Sequence, residues 1–127
     1  MDWLLFPATP AAAHGLRLEI AAFLRRHATD PDQVWAAELT VSELVGNAVT
    51  HAGGPVWVTL DWSDTRPVLG VHDLGPDFEL DTSAPALTSD HGRGLWLVSQ
   101  VAADLAVAAK RAGGKRVTAV LPVQRRE

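Results

Sequence analysis

Val41-Ser42-Glu43-Leu44-Val45-Gly46-Asn47-Ala48-Val49-Thr50-His51-Ala52 runs into Gly53-Gly54-Pro55, and then into Val56-Trp57-Val58-Thr59-Leu60-Asp61-Trp62. The hydrophobic period changes across the three punctuating residues. Before them Val41, Val45, Ala48 and Ala52 recur at helical spacing. After them Val56, Val58, Leu60 and Trp62 alternate with Trp57, Thr59 and Asp61, the pattern of a half-buried strand. Gly-Gly-Pro is a strong helix stop.

Working outward, Asp30-Pro31 offers a cap followed by proline at the first helical position, so this helix should begin there and run to about Ala52. An earlier helix is expected from Ala11 to Ala28, where Leu16, Ile20, Phe23 and Leu24 recur among Arg17, Glu19, Arg25 and Arg26. Residues 3–6 are apolar and stop at Pro7, as in a short edge strand. Downstream, Val68 to His72 pairs with Val56 to Trp62 across the turn Ser63-Asp64-Thr65-Arg66-Pro67. Residues 73–91 lack periodicity, and so long a loop in a small chain is commonly functional. A third helix should follow Gly94, with Leu95, Val98 and Val101. Strands at Leu105–Lys110 and Lys115–Val123 close the chain around Arg111-Ala112-Gly113-Gly114. Two adjacent hairpins and three helices predict an α+β two-layer sandwich, with a mixed, mostly antiparallel sheet covered on one face.

The chain has 127 residues, a length that suits one domain over residues 1–127 with a single core. Apolar residues make up 47% and charged residues 20%, which excludes disordered and fibrous classes. A net charge of −4 argues against a dedicated nucleic-acid binder, whose surface should neutralise phosphates. No cysteine is present, so thiolate catalysis and disulfides are excluded. No secretory signal or stretch of roughly 20 apolar residues is found, so a soluble cytoplasmic protein without a membrane partner is expected.

Three places could carry chemistry. Glu43, Asn47 and His51 stand four residues apart, in a row along one helix edge. An amide oxygen and phosphates can suffice for Mg²⁺, which keeps most of its waters. On this helix alone, however, the row reads better as a solvated edge. His72-Asp73-Leu74-Gly75-Pro76 closes a strand with an acid and a glycine turn, which alone is an ordinary turn. His91-Gly92-Arg93-Gly94-Leu95 precedes a helix, where glycines and free N–H groups favour an anion. Ser42, His51 and Asp73 do not make a hydrolase triad, because no Gly-x-Ser-x-Gly elbow exists. His14, His27 and His72 lack metal-ligand spacing.

Taken together and in order, Glu-Leu-Val-Gly-Asn-Ala-Val-Thr-His-Ala (43–52), Asp-Leu-Gly-Pro (73–76) and Gly-Arg-Gly-Leu (92–95) resemble the three ATP-binding boxes of the GHKL superfamily, whose fold is the Bergerat sandwich. The segment from Val41 to His51 looks most like the stand-alone anti-sigma-factor serine kinases. The resemblance implies ATP and Mg²⁺ as cofactors. It makes Asn47 the Mg²⁺ ligand and Glu43 the general base. Asp73 would accept a hydrogen bond from the adenine amino group, with Gly75 giving the base close backbone approach. Gly92, Arg93, Gly94 and Leu95 would wrap the phosphates, with residues 77–91 as the lid.

The implied partners are an anti-sigma-factor antagonist of STAS type and a sigma factor. Related proteins are often dimers, and Trp3 with Phe6 are placed to form such an interface, although the sequence leaves the oligomeric state open. Two positions depart from the pattern. Asp77 replaces the second glycine of the aspartate box. Counting back from Leu121-Pro122 puts Arg116 where the family often has a threonine near the adenine aspartate. A catalytically inactive module that sequesters a protein partner is therefore the alternative.

Overall fold

The computed structural model describes residues 1–51, 54–75, 98, 100, 104–109 and 113–126. Its elements run β1 (Asp2–Leu5), α1 (Pro10–His27), a 3-10 turn at Pro31–Gln33, α2 (Val34–His51), β2 (Val56–Asp61), β3 (Val68–Asp73), β4 (Asp104–Ala109) and β5 (Lys115–Val120). The five strands form one sheet in the order β1-β2-β3-β5-β4. Every pairing is antiparallel, so the mixed sheet expected from sequence has no parallel pair among the described residues. The chain leaves β3, sets down β4 at the far edge and returns through β5 between them.

Local chemistry explains the helix starts. Thr9 caps α1 by accepting a hydrogen bond from the Ala12 N–H at 3.1 Å, with Pro10 next to it at the start of the helix. Asp30 does the same for the 3-10 turn, accepting from the Asp32 N–H at 3.0 Å. Asp30-Pro31 thus opens a tight turn that leads into α2, not α2 itself. Two α-helices are present among the described residues. Of the expected third helix only Val98 and Gln100 are described; both are helical, and Val98 is fully buried.

The core lies between the helix pair and one face of the sheet. Leu16, Ile20 and Leu24 of α1 and Val34, Val41, Leu44 and Val45 of α2 pack toward Val56, Val58, Leu60, Leu69, Val71 and Val117. Burying each such side chain stabilises the fold by about 1.5–3 kcal/mol. The alternation in β2 holds: Val56, Val58, Leu60 and the following Trp62 face inward. Trp62 donates its indole N–H to the Thr65 carbonyl at 3.0 Å and meets the Phe23 ring edge-on. The segment after β5 returns under the end of α1, where Arg126 donates its N–H to the His27 carbonyl at 2.8 Å. On the other sheet face Trp57, Asp61, Val68 and Arg116 are exposed. Phe6 is exposed as well, while Trp3 packs partly against the core.

Candidate nucleotide site

The inward-facing row of β3 is Leu69, Val71 and Asp73, so the sheet's own alternation carries a carboxylate into the core layer. Asp73 has no exposed surface. Two donors converge on its Oδ1: the Gly75 N–H at 2.8 Å and the Lys115 Nζ at 2.8 Å. The first is an Asx-type turn that bends the chain sharply after the strand. The second is an ion pair whose side chains are 7% exposed for Lys115 and 1% for Asp73. The other oxygen, Oδ2, is buried and accepts no hydrogen bond among the described residues. An unsatisfied buried acceptor costs about 1–3 kcal/mol, and such a group calls for an explanation.

Register fixes these partners. On β5, Lys115 lies opposite Asp73 and Arg116 opposite His72. Lys115, Val117, Ala119 and Leu121 share the buried side, whereas Arg116 is exposed. The residue that meets the aspartate is therefore Lys115, and the expectation for Arg116 is corrected by one position. A one-residue slip in a strand moves a side chain to the opposite face. Gly114, before β5, brings backbone against backbone. Its φ is +86°, and a Cβ there would stand 2.1 Å from the Asp73 carbonyl oxygen. Only glycine lets the β4–β5 turn close this tightly over the end of β3.

Glu43 and Asn47 are both half-buried on α2, and His51, at its end, is exposed. The row is neither core nor a freely solvated edge. A groove of about 210 Å³ lies on the adjacent face of α2, bordered by Ser42, Gly46 and Val49 and by His14 and Arg17 of α1. None of the described candidate site residues lines it. The structure brings Asp73 and Gly75 together as the sequence suggests and adds Lys115 and Gly114. Gly92, Arg93, Gly94, Leu95, Asp77 and the expected lid 77–91 lie outside the described residues.

A sheet with its helices on one face and a buried strand-end carboxylate offering an unmatched acceptor defines a class of sites that can read an amine donor on a small ligand. The particular family follows from comparison with known domains. Residues 6–121 match the model of the histidine kinase-like ATPase domain, and the chain belongs to that family. Membership implies ATP binding, and the site fits it, since Asp73 Oδ2 lacks the donor that an adenine amino group provides. No curated protein matches the chain. No helix among the described residues is long and apolar enough to cross a membrane.

Proposed function

We propose that the chain is an anti-sigma regulatory factor that binds ATP with Mg²⁺ and phosphorylates a serine of a STAS-type anti-sigma-factor antagonist. The observation that carries this reading is the buried, half-satisfied Asp73 at the end of β3, in a chain whose α2 bears Glu43 and Asn47 at four-residue spacing. Asp73 reads the adenine amino group, and Gly75 keeps the turn beneath it open. Asn47 ligates the metal. Mg²⁺ keeps several of its waters, so an amide oxygen together with phosphate oxygens suffices to hold it. Bound Mg²⁺ supplies charge neutralisation on the phosphates.

Glu43 accepts the proton of the attacking serine hydroxyl as the bond from serine oxygen to the γ-phosphorus forms. The bond from that phosphorus to the β–γ bridging oxygen breaks, and ADP leaves. The protein works in the cytoplasm. In its unphosphorylating state it holds a sigma factor.

Transfer of labelled phosphate from ATP to an antagonist-type domain tests the reading. Wild type should transfer it, and Glu43→Gln should lower the rate by about 10²–10⁴-fold while ATP binding stays intact. Tight ATP binding without any transfer would count against the kinase. One observation favours a second reading, an inactive partner-sequestering module: Lys115 already holds Asp73. On that reading Glu43→Ala leaves sequestration of the partner unchanged.

A further inference from the structure

Lys115 had no assigned role in the site, yet it is the most deeply placed cation among the described residues. It stands at the start of β5 with its ammonium on Asp73 Oδ1. The Gly75 N–H binds the same oxygen, so both donors pull on one side of the carboxylate. A carboxylate held twice through one oxygen cannot turn about its last bond without breaking both hydrogen bonds. Its second oxygen is then fixed in direction and restricted to accepting.

We propose that Lys115 is a positioning residue for nucleobase selection: with the Gly75 N–H it occupies Asp73 Oδ1 and so presents Oδ2 as a fixed acceptor that prefers a 6-aminopurine to a 6-oxopurine. This rests on the reading of the site as an adenine-nucleotide pocket. A 6-amino group donates to Oδ2, whereas a 6-oxo group sets oxygen against oxygen in a region with no exposed surface. Buried polar groups discriminate strongly because the wrong ligand leaves them unpaired. A threonine or methionine in place of Lys115 removes the ammonium and leaves only the backbone N–H on Oδ1. Held through the backbone N–H alone, the carboxylate can turn, which ends the fixed direction of Oδ2. Lys115 therefore acts through Asp73 and need not touch the base.

The test is calorimetric titration of the full chain with ATP and with ITP, each with Mg²⁺, for wild type, Lys115→Met and Lys115→Arg. Circular dichroism and thermal melting check that each variant folds. Wild type should prefer ATP by about 30-fold or more. Lys115→Met should weaken ATP and bring the two nucleotides within about threefold, and Lys115→Arg should keep most of the preference. A Lys115→Met variant that binds ATP more tightly with the preference intact overturns the inference, because the lysine would then be a competitor of the nucleotide.

If Lys115→Met does not fold, nitrogen-detected NMR on the wild-type ammonium decides. Its hydrogen bond to Asp73 should persist with ATP bound, and loss of that bond on ATP addition overturns the proposal. Wild type that binds ATP and ITP equally brings down only this inference. Wild type that binds neither brings down the ATP reading as well.

Discussion

Among the described residues two ion pairs cross between elements, and they differ in almost everything except their charges. Arg25 on α1 meets Glu38 on α2 at the surface, with side chains 54% and 29% exposed. Lys115 on β5 meets Asp73 on β3 with almost no exposure. The first links two helices that their apolar faces already hold together, and water screens it. Pairs of that kind contribute about 0–1 kcal/mol. The second has lost its hydration and is only partly repaid, since one carboxylate oxygen has no donor among the described residues. A buried pair is weak evidence of stabilisation as such. It sits in the core layer, at the end of a strand and beside a glycine turn.

The largest effect should come from breaking the buried pair on one side only. Asp73→Ala removes the carboxylate that the Lys115 ammonium meets in the core and should lower stability by about 3–5 kcal/mol, read as the midpoint and slope of urea unfolding. The double change Asp73→Leu with Lys115→Met should recover most of that loss, because it removes both buried charges together. A double variant as unstable as Asp73→Ala would show that the pair itself holds β3 to β5.

Gly114→Ala comes next. A side chain at φ +86° is strained by about 1–3 kcal/mol, and its Cβ must also push the turn away from the Asp73 carbonyl. A melting-temperature drop of several degrees with nucleotide affinity lost in parallel is expected; unchanged binding would mean that the close approach does not shape the site. Smallest is Glu38→Gln at the surface pair, which should shift stability by less than about 1 kcal/mol, and by less still in high salt. A surface effect as large as the buried one would erase the distinction drawn between them.

Much of the fold was legible because its signals are periodic. The change from helical to alternating spacing across Gly53-Gly54-Pro55 located α2 and β2, and the inward set Val56, Val58, Leu60 and Trp62 came out as read. The strand boundaries at β1, β3, β4 and β5 agree within a few residues. The Asp30-Pro31 signal was sound, but it serves a 3-10 turn, because both kinds of turn accept the same cap. Asp73 and Gly75 were legible as an acid-glycine turn, and their hydrogen bond is present.

Lys115 was missed, although a signal existed. Lys115, Val117, Ala119, Leu121 and Val123 alternate, and the last four are plainly apolar, so the first must face the core with them. Counting along one strand from Leu121-Pro122 led instead to Arg116, because the facing residue is set by cross-strand register. That register depends on pairing between β3 and β5, more than 40 residues apart in the chain. The close approach of Gly114 to Asp73 was hidden for the same reason: it is a contact across the sheet with no local trace in the sequence.

The central claim is that Asp73 is the base-reading group of an ATP site. Calorimetric titration with ATP and Mg²⁺ of wild type beside Asp73→Asn, both shown to be folded, tests it most directly. The amide keeps the shape but exchanges part of the acceptor capacity for a donor. Saturable ATP binding by wild type that falls at least about tenfold in Asp73→Asn, the equivalent of about 1.4 kcal/mol, is the result predicted. Folded wild type that takes up no ATP, or a variant that binds it as well as wild type does, would contradict the account.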